Sequence, residues 1–561
     1  MRRIKILVVL FAACLLAAAC GGGSSGGGSS SSGGSSSTNS TLTIDNESGS
    51  LWTCNFNPFN LSDIGYSLGP VYEPLMFVNT LQSAKVTPWL ATAYTWSNGN
   101  KTLTFTIRNG VKWSDGKPMS AADVVYTFNL LKKNKALDLN AVWSVLSSVT
   151  QKGSDQVVMQ FKQPAVTYFY YIADQIGIVP EHIWSKIADP VKYPDTNPVG
   201  TGAYLVKPCT PQNITYKANP HYYQAGLPKV KTINYPAFTS NDTANTYLAN
   251  GQAQWGSQFI PSIQKFYLDK SPNYHYWFPP VANVSLFINL KNPILSNVAV
   301  RQAMAYAINR QQASQIGEYG YEPPSNQTGI VTPTFSNWED TSQASKFGNA
   351  YSYNPSHAES LLKAAGYTKG SDGIMQKNGQ KLSFSITNNG GFSDWVAAVN
   401  VIQTDLKAIG IQVTPKNLAA PAYEAAMYNG NYQLGYYAET GGPTPYYELH
   451  LMLDSANYAA VGTTAQGDYG RYKNPAVDQL FGQYAAATSQ ATQEAAMKQI
   501  ETYMINDVPL IPVIEAVDWY QYSTADLVGW PSAGDPYAQP APWNWPDVEQ
   551  VLLHLYSKSA Q

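Results

Sequence analysis

The sequence predicts an α/β fold, because strand and helix patterns alternate along most of the chain. Leu103, Phe105 and Ile107 alternate with threonines, which is the pattern of a strand with one buried face. Apolar residues at three- and four-residue spacing follow from Val124 and predict a helix. No short period recurs along the chain, which disfavours a solenoid or a propeller.

Capping and stop signals mark the ends of the predicted helices. Ser120, with Asp123 three residues later, resembles a capping box, so a helix is expected to begin there. Apolar residues within Trp395–Ile409 recur at helical spacing and end before Gly410, which predicts a long helix followed directly by a strand. Helices and strands of this kind recur up to the C-terminal region.

The N-terminal residues have the pattern of a bacterial lipoprotein signal. Basic residues precede the apolar stretch Ile6–Leu16, which is too short to span a membrane. Small residues then lead into Cys20, so residues 1–19 are expected to be removed and Cys20 acylated; a plain cleaved signal peptide is the alternative. Residues 20–41 are rich in Gly and Ser and are expected to be a flexible tether that holds the protein at the outer face of the cell membrane.

The composition gives no electrostatic case for nucleic acid as a partner. The chain has 561 residues, of which 44% are hydrophobic and 13% charged, and its net charge is -2. Apart from Cys14 in the signal segment and Cys20, which is expected to be acylated, the cysteines are Cys54 and Cys209. In an oxidising compartment they can form a disulfide, but two buried thiols are an equal alternative because the sequence does not give their separation.

The sequence contains no local motif for catalysis, a metal or a cofactor. None of its six histidines lies three to five residues from another, and no CxxC pair, nucleophile elbow, phosphate loop or dinucleotide fingerprint is present. We therefore expect a protein that is not an enzyme and needs no metal or cofactor. A Ser/His/Asp triad assembled from distant segments stays open, because triads need no local spacing.

Aromatic residues are abundant and occur in clusters. Tyr168–Tyr171, Tyr222–Tyr223 and Trp543–Trp545 are the densest of these. Such side chains stack on sugars or line peptide pockets, but they also serve as buried scaffold, which is the more common role. The sequence leaves these roles open.

Several ordered segments resemble the signature of family 5 of the bacterial extracellular solute-binding proteins, which are the oligopeptide, dipeptide and nickel binders of ABC importers. The resemblance covers nearly all of the chain after the tether. Most of the matching positions have a structural reason, since Gly110 and Gly116 suit turns, Asp123 caps a helix and Arg301 is expected to be a packing residue. The matching segments are Val71–Leu75, Pro88–Trp96, Leu103–Pro118, Ala121–Val124, Pro180–Trp184, Pro198–Tyr204, Leu361–Tyr367 and Asp507–Pro512.

The resemblance implies a periplasmic-binding-protein-like II fold, which is a clamshell of two lobes and three domains of the cluster C type. Domain I is expected to be discontinuous, over residues 42–83, 196–282 and 517–561. Domain II is expected over 84–195 and domain III, the other lobe, over 283–516. The ligand is expected between the lobes, which close around it by a hinge motion.

One segment, Leu434–Glu439, resembles the strand of oligopeptide binders that pairs with the bound peptide. Side chains alternate along a strand, so the backbone groups of Gly435 and Tyr437 are expected to face the ligand together. Glu439 falls where relatives bind the α-ammonium group, although a solvated loop carboxylate is the alternative. Trp395 is a weaker candidate, because its helical stripe favours burial. The ligand-binding residues expected from the resemblance are Gly435, Tyr436, Tyr437, Glu439 and Tyr66.

The resemblance implies a monomeric binding protein that captures oligopeptides and delivers them to the permease and ATPase subunits of an ABC importer. An oligosaccharide is the second candidate ligand, because the many Tyr, Trp, Asn and Gln residues suit stacking and amide hydrogen bonds. A lipid-anchored hydrolase is a distant third candidate, which needs a nucleophile or a carboxylate pair in a cleft.

Overall fold

Three β-sheets of four or more strands carry the fold, with helices packed against them. The computed structural model describes residues 40–47, 49–60, 69–332, 334–346, 351–487 and 489–560. These residues belong to one compact unit, Asn39–Gln561. Within the described ranges, none of the helices combines the length and the apolar character that crossing a membrane requires.

The strands and helices are numbered here in chain order. The strands are β1 (Thr41–Glu47), β2 (Met76–Asn79), β3 (Lys85–Pro88), β4 (Ala91–Ser97), β5 (Thr102–Ile107), β6 (Leu146–Lys152), β7 (Gln156–Phe161), β8 (Tyr204–Thr210), β9 (Asn213–Ala218), β10 (Thr232–Phe238), β11 (Trp255–Gly256), β12 (Tyr274–Tyr276), β13 (Pro280–Ile288), β14 (Thr368–Lys369), β15 (Met375–Lys377), β16 (Gln380–Lys381), β17 (Ser383–Asn389), β18 (Gln412–Leu418), β19 (Leu434–Ala438), β20 (Leu510–Val517), β21 (Gln521–Ser523), β22 (Leu527–Val528) and β23 (Tyr556–Ser557). The helices are α1 (Ala121–Lys133), α2 (Phe169–Ala173), α3 (Glu181–Trp184), α4 (Asn241–Ala249), α5 (Ile263–Phe266), α6 (Val298–Ala307), α7 (Arg310–Gly317), α8 (Thr341–Lys346), α9 (Pro355–Ala364), α10 (Ser393–Ala408), α11 (Ala420–Tyr428), α12 (Pro445–Leu453), α13 (Pro475–Ala486), α14 (Gln490–Asp507) and α15 (Asp547–His554).

The largest sheet has seven strands in the order β12-β21-β11-β1-β10-β9-β8. Strand β1 is parallel to both of its neighbours, β10 and β11, so it lies at the centre of the sheet. The sheet combines strands from the beginning, the middle and the end of the chain, which is the arrangement expected for a discontinuous domain I. The division into three domains stays a prediction, because the described residues form one compact unit.

A four-stranded antiparallel sheet, in the order β4-β5-β7-β6, follows the first part of the large sheet along the chain. Strand β5 buries every second residue, so the alternating pattern at Leu103, Phe105 and Ile107 is confirmed. Helix α1 begins with the predicted capping box, in which the side chains of Ser120 and Asp123 each accept from backbone N–H groups at the helix start. Its apolar face, with Val124 fully buried, packs toward β6 and β7.

The five-stranded sheet, in the order β18-β17-β19-β13-β20, is built from the second half of the chain. Strands β17, β18 and β19 are parallel, whereas β13 is antiparallel to both β19 and β20. Helix α10 packs on β17 and β18, and its end before Gly410 matches the prediction. Gly410 has a φ of +83°, a left-handed conformation that favours glycine and lets the chain enter β18.

The chain passes between the large sheet and the five-stranded sheet through two adjacent segments. Pro280 at the start of β13 lies opposite Val517 at the end of β20. Next to this pair, the backbone N–H of Asp518 donates to the carbonyl of Pro279 over 2.9 Å. Two neighbouring crossings of this kind give the geometry of a hinge between two lobes.

The two remaining cysteines form a disulfide, Cys54–Cys209, with their Cα atoms 5.8 Å apart. The bond ties the segment at residues 49–60 to strand β8. The same segment is held by a backbone hydrogen bond of 2.9 Å from Trp52 to the carbonyl of Pro211. Arg301 has the predicted structural role, because its guanidinium donates to the carbonyls of Leu295, Ser296, Asp507 and Val508.

Candidate functional site

A cavity of about 380 Å³ is lined by strands of the five-stranded sheet and by loops and helix ends from the rest of the chain. Residues of predicted domain I, domain II and domain III line it, including Gln258, Tyr170 and Glu439. A second cavity of about 690 Å³ lies between the segment at residues 49–60 and helix α11. Glu424 lines both cavities, so together they form a cleft between the two predicted lobes. Each cavity has the size of an ordinary ligand pocket, about 300–1,000 Å³.

Three tryptophans line the smaller cavity, and they come from three separate segments of the chain. Trp395 projects from the first turn of α10 and meets the ring of Tyr436 edge-on, with the ring centroids 5.5 Å apart. Trp519 follows the crossing segment and meets Phe259 edge-on at 5.6 Å. Trp543 is 40% exposed, and its indole N–H donates to the hydroxyl of Ser257 over 3.2 Å. These rings give the cleft rigid apolar surfaces with edges and faces open to a ligand.

These tryptophans change two interpretations of the sequence. The helical stripe favours burial of Trp395, but its ring is only partly buried and borders the cavity. The two tryptophans of the cluster at 543–545 have different roles. Trp543 borders the cavity, whereas Trp545 is buried and its indole N–H donates to the carbonyl of Tyr72 over 3.0 Å. Sequence periodicity cannot separate these cases, since both positions are aromatic and close in sequence.

Glu439, the expected ammonium ligand, borders the cavity but has its carboxyl engaged in the protein interior. The side chain is 7% exposed, the hydroxyl of Ser285 donates to it, and it shares a hydrogen bond with Glu448. Burial raises the pKa of Glu439 to about 7. Burial also raises the pKa of Glu448 well above its usual range, and the charge of Glu439 adds to this rise. The two carboxyls therefore share a proton near neutral pH.

The partners of Glu448 complete a closed polar network. The side-chain amide of Asn283 donates to Glu448 over 2.6 Å, and the backbone N–H of the same residue donates over 3.1 Å. The Asn283 amide also donates to the carbonyl of Gly329 over 2.9 Å. With these donors the Glu439–Glu448 pair is satisfied inside the protein and needs no ligand.

Gly435 of strand β19 does not line the cavity, and its role in binding stays a prediction. Gly435 lies between Phe287 of β13 and Thr387 of β17, so both edges of the strand are paired there. A Cβ atom at Gly435 would lie only 2.4 Å from the sulfur of Met427, which explains the glycine by close packing. Of the five residues of β19, only the last one, Ala438, borders the cavity.

The two tyrosines of the strand do not line the smaller cavity. Tyr436 is fully buried, and its carbonyl accepts from the hydroxyl of Tyr423 over 2.6 Å. Tyr437 lies among other aromatic rings, and its hydroxyl is 3.1 Å from that of Tyr428. Neither residue lines the cavity. The predicted positions Tyr66 and Cys20 lie outside the described residues.

The charged side chains along the cleft are acidic rather than basic. Glu322, Asp394 and Glu424 border the smaller cavity together with Glu439. Among the described residues that line the two cavities, none is Lys, Arg or His. The sequence predicted only Glu439 of these four, because Glu322 and Asp394 come from separate segments whose meeting depends on the tertiary fold.

The two predicted lobes touch on both sides of the cavity. On one side the amide of Asn241, at the start of α4, donates to Asp394 of α10 over 3.0 Å. On the other side the hydroxyl of Tyr447 donates to the carbonyl of Thr167 over 2.8 Å. Polar contacts of this kind across a cleft hold a clamshell near its closed form.

A match to a family model covers residues 85–460, and the model describes the middle region of bacterial extracellular solute-binding proteins, family 5. The chain belongs to this family. The match spans most of the four-stranded and five-stranded sheets, and it includes many of the cavity-lining residues.

Known relatives extend the similarity over most of the chain. The nickel-binding periplasmic protein of Escherichia coli is 24% identical over 88% of this chain and 92% of its own. The oligopeptide-binding protein AppA of Bacillus subtilis is 26% identical over 74% of this chain and 77% of its own. These relatives are binding proteins rather than enzymes.

A solved structure supports the same fold. The periplasmic oligopeptide-binding protein of an ABC transporter from Thermotoga maritima, crystallised with mannohexaose, superposes with a TM-score of 0.86. It is 26% identical and covers 93% of this chain and 99% of its own. The predicted two-lobed α/β fold of family 5 binding proteins is thereby confirmed. Within the described residues, no group of three or more His, Cys, Asp or Glu side chains is arranged to hold a metal ion.

Proposed function

We propose that this protein is the substrate-binding component of an ABC importer and that it captures an oligosaccharide in the cleft. The observation that carries the proposal is the cavity bordered by Trp395, Trp519 and Trp543, in which no basic side chain is present among the described lining residues. Sugar rings have apolar faces that stack on aromatic rings and hydroxyl groups that bond to carboxyls and amides. The cavity offers both kinds of contact.

Polar groups for the hydroxyls of a sugar are present beside the tryptophans. Gln539 and Asn544 border the same cavity and are partly exposed, and carboxyl groups also line it. Amide side chains both donate and accept, so they suit hydroxyl groups, which also do both. The described lining residues offer no cation that could bind a carboxylate group of the ligand. A ligand rich in hydroxyl groups therefore fits this cleft.

The geometry of Glu439 weakens the peptide hypothesis, which the sequence placed first. Its carboxyl is bonded to Ser285 and Glu448, so binding an α-ammonium group would require breaking a satisfied buried pair. The terminal carboxylate of a peptide also finds no basic partner among the described lining residues.

An oligopeptide is the second candidate, because two observations favour it. Ala438 borders the cavity at the end of a strand, so its backbone is placed for pairing with an extended chain. The acidic cleft also suits the ammonium end of a peptide. A hydrolase needs a positioned nucleophile or acid pair, and recovery of the ligand unchanged after incubation would count against it.

Delivery to a permease follows from the proposed role, and anchoring follows from the N-terminal sequence. We expect Cys20 to carry the lipid and to hold a monomer beside the permease and ATPase subunits on the outer face of the membrane. The Cys20→Ser variant should then leave the membrane fraction and appear in the soluble fraction. A variant that remains in the membrane fraction would contradict the anchor and leave the ligand proposal untouched.

A panel of ligands tests the proposed substrate class. Cello-oligosaccharides, manno-oligosaccharides and short peptides would be added separately while the melting temperature is followed. A ligand at about 100 times its Kd stabilises the folded state by about 2.7 kcal/mol, so binding is visible as a shift. We expect shifts with saccharides; shifts with peptides alone would overturn the saccharide proposal.

A tryptophan variant links the binding to this cavity. Trp543→Ala should weaken saccharide affinity about tenfold to hundredfold, because it removes one stacking surface. Trp96→Ala is the matched control, since that ring packs on Phe161 at 5.5 Å and lines neither cavity. Equal losses in both variants, measured by calorimetry, would place the binding site elsewhere.

A further inference from the structure

One corner of the smaller cavity holds more negative charge than the protein itself compensates. Glu322 and Asp394 border the cavity, and Glu318 lies directly behind them. Glu322 belongs to the loop after α7, whereas Asp394 lies in the first turn of α10. The charges of Asp394 and Glu322 both act on Glu318, so the three carboxyls form one electrostatic group. We call them the acidic corner.

The hydrogen bonds of the acidic corner are incomplete. One oxygen of Glu322 accepts from the backbone N–H of Val517 over 3.1 Å, but its other oxygen, Oε2, has no partner. Both oxygens of Glu318 are buried without a partner, and so is the hydroxyl of Tyr436 next to them. Glu318 is 0% exposed and Glu322 is 2% exposed, so bulk water does not supply the missing partners.

Asp394 is better supported, because the amide of Asn241 donates to it and the start of α10 contributes backbone N–H groups. Burial nevertheless raises the pKa of Asp394 to about 6. The pKa values of Glu318 and Glu322 are raised well above the usual range, first by burial and then by the neighbouring carboxyls. A positive group placed at this corner would relieve both the desolvation and the repulsion.

The described residues that line the cleft supply no such positive group. No described residue that lines the cavities is basic, and the sequence over 61–68 contains no Lys, Arg or His. The described carboxyls do not form a group suited to a metal ion. A positively charged nitrogen, which needs hydrogen-bond acceptors rather than a coordination shell, suits the carboxyls of Glu322 and Asp394 that border the cavity.

We propose that Glu322 and Asp394 bind an ammonium group of the ligand, so that the saccharide captured in the cleft is an amino sugar oligomer. This inference rests on the proposed saccharide function. The aromatic walls strengthen it, because the rings of Phe259 and Trp519 border the same cavity and attract cations with their faces.

Two ligands that differ at a single position test the charge. The β-1,4-linked glucosamine tetramer and cellotetraose share ring, linkage and length, but carry an amino group and a hydroxyl group, respectively, at each C2. We expect the wild-type protein to bind the glucosamine tetramer at least about tenfold more tightly near neutral pH, where Asp394, with its pKa raised to about 6, is ionised and can pair with an ammonium group. Isothermal titration calorimetry measures both affinities.

Substitutions at the acidic corner then assign the preference to these residues. Glu322→Gln keeps an oxygen for the Val517 N–H, and Asp394→Asn keeps one for Asn241. Each is expected to remove most of the preference for the glucosamine tetramer while cellotetraose affinity changes little. Glu359→Gln is the charge-matched control, because it lies in an ion pair with Lys363 on α9, outside both cavities.

The outcomes separate this inference from the function on which it rests. Equal wild-type affinity for the two tetramers would overturn the ammonium site and leave saccharide binding intact. Failure of every saccharide in the panel would overturn both. A preference for the glucosamine tetramer that persists in both variants would also overturn the site, even if one variant folds poorly, because the wild-type comparison requires no substitution.

Discussion

The cleft contains two groups of buried carboxyls, and they differ in how the protein satisfies them. The Glu439–Glu448 pair shares a proton and accepts from Ser285 and Asn283, so its hydrogen bonds close within one lobe. The acidic corner has unpaired oxygens on Glu318 and Glu322. A buried polar group without a partner costs folding free energy, and we propose that the partner of Glu322 arrives with the ligand.

The comparison also explains why a sequence motif pointed to the less available carboxyl. Glu439 lies in a segment that resembles the peptide-binding strand, but Ser285 on the neighbouring strand and Glu448 on α12 take up its oxygens. Asp394 and Glu322 lie in no motif, yet they border the cavity. Availability for a ligand therefore depends on the neighbours of a carboxyl rather than on its place in the sequence.

Removing Glu448 should have the largest effect on stability. Glu448→Ala leaves the backbone and side-chain donors of Asn283 without their acceptor in the interior, so we expect a loss of about 3–5 kcal/mol. Chemical denaturation measures the change. Glu359→Ala, at a partly exposed ion pair, should change stability by about 0.5 kcal/mol or less and serves as the control. A small loss for Glu448→Ala would show that the pair is not the closed network described here.

The second effect concerns pH and the Glu439–Glu448 pair. Because the folded-state pKa of Glu439, about 7, lies above its ordinary value of 4.5, the folded protein holds a proton that the unfolded chain releases. Stability from this pair is complete below pH 4.5 and falls as the pH rises toward about 7. Glu439→Gln should remove this part of the pH dependence and raise stability above pH 7 by about 2 kcal/mol.

Thermal unfolding from pH 4.5 to 8 in wild type and Glu439→Gln measures that difference directly. Other buried carboxyls with raised pKa values, including Glu515 and Asp547, remain in both proteins and cancel in the comparison. Parallel curves for the two proteins would contradict the shared proton.

At the acidic corner we expect a stabilising substitution. Glu318→Leu removes a buried carboxyl whose two oxygens lack partners, so it should raise the free energy of unfolding by about 1–2 kcal/mol at neutral pH. Because Glu318 does not line the cavity, binding of the glucosamine tetramer should change little. Denaturation measures the stability, and a loss of stability in the Glu318→Leu variant would show that Glu318 has a structural partner.

The smallest expected effect lies in the contact between the lobes. Asn241→Ala removes the hydrogen bond to Asp394, which should cost about 1 kcal/mol. Because the bond spans the cleft, part of the loss should appear as weaker ligand affinity. Thr246→Ala on the same helix is the control, since its hydroxyl bonds only within α4 among the contacts described. Equal losses of affinity would contradict a role for Asn241 in closure.

Much of the fold was predictable from local patterns, whereas the site was not. The strand around Phe105, the capping box at Ser120 and the helix end before Gly410 each depend on residues close in sequence, and each is confirmed. The family resemblance supplied the two-lobed arrangement. These features follow from periodicity, turns and capping, which act over a few residues.

The cavity depends on contacts that no local pattern records. The alternation of side chains along a strand predicted that the backbone of Gly435 faces the ligand. The pairing of both strand edges at Gly435 arises only in the assembled sheet. Trp395 borders the cavity because α10 begins there, and the helical stripe carries no information about a cavity. Glu322 meets Asp394 only after two distant segments pack together.

The crossing at Pro280 and Val517 has a consequence for how this chain can be divided and recombined. The two ends of the segment from Pro280 to Val517 lie side by side. The segment is therefore joined to the rest of the chain at only two neighbouring points. A short turn can rejoin the flanking chain, and the excised segment carries a complete five-stranded sheet with it. Exchange of this segment between homologues would transplant one wall of the cleft as a module, with the other wall left unchanged.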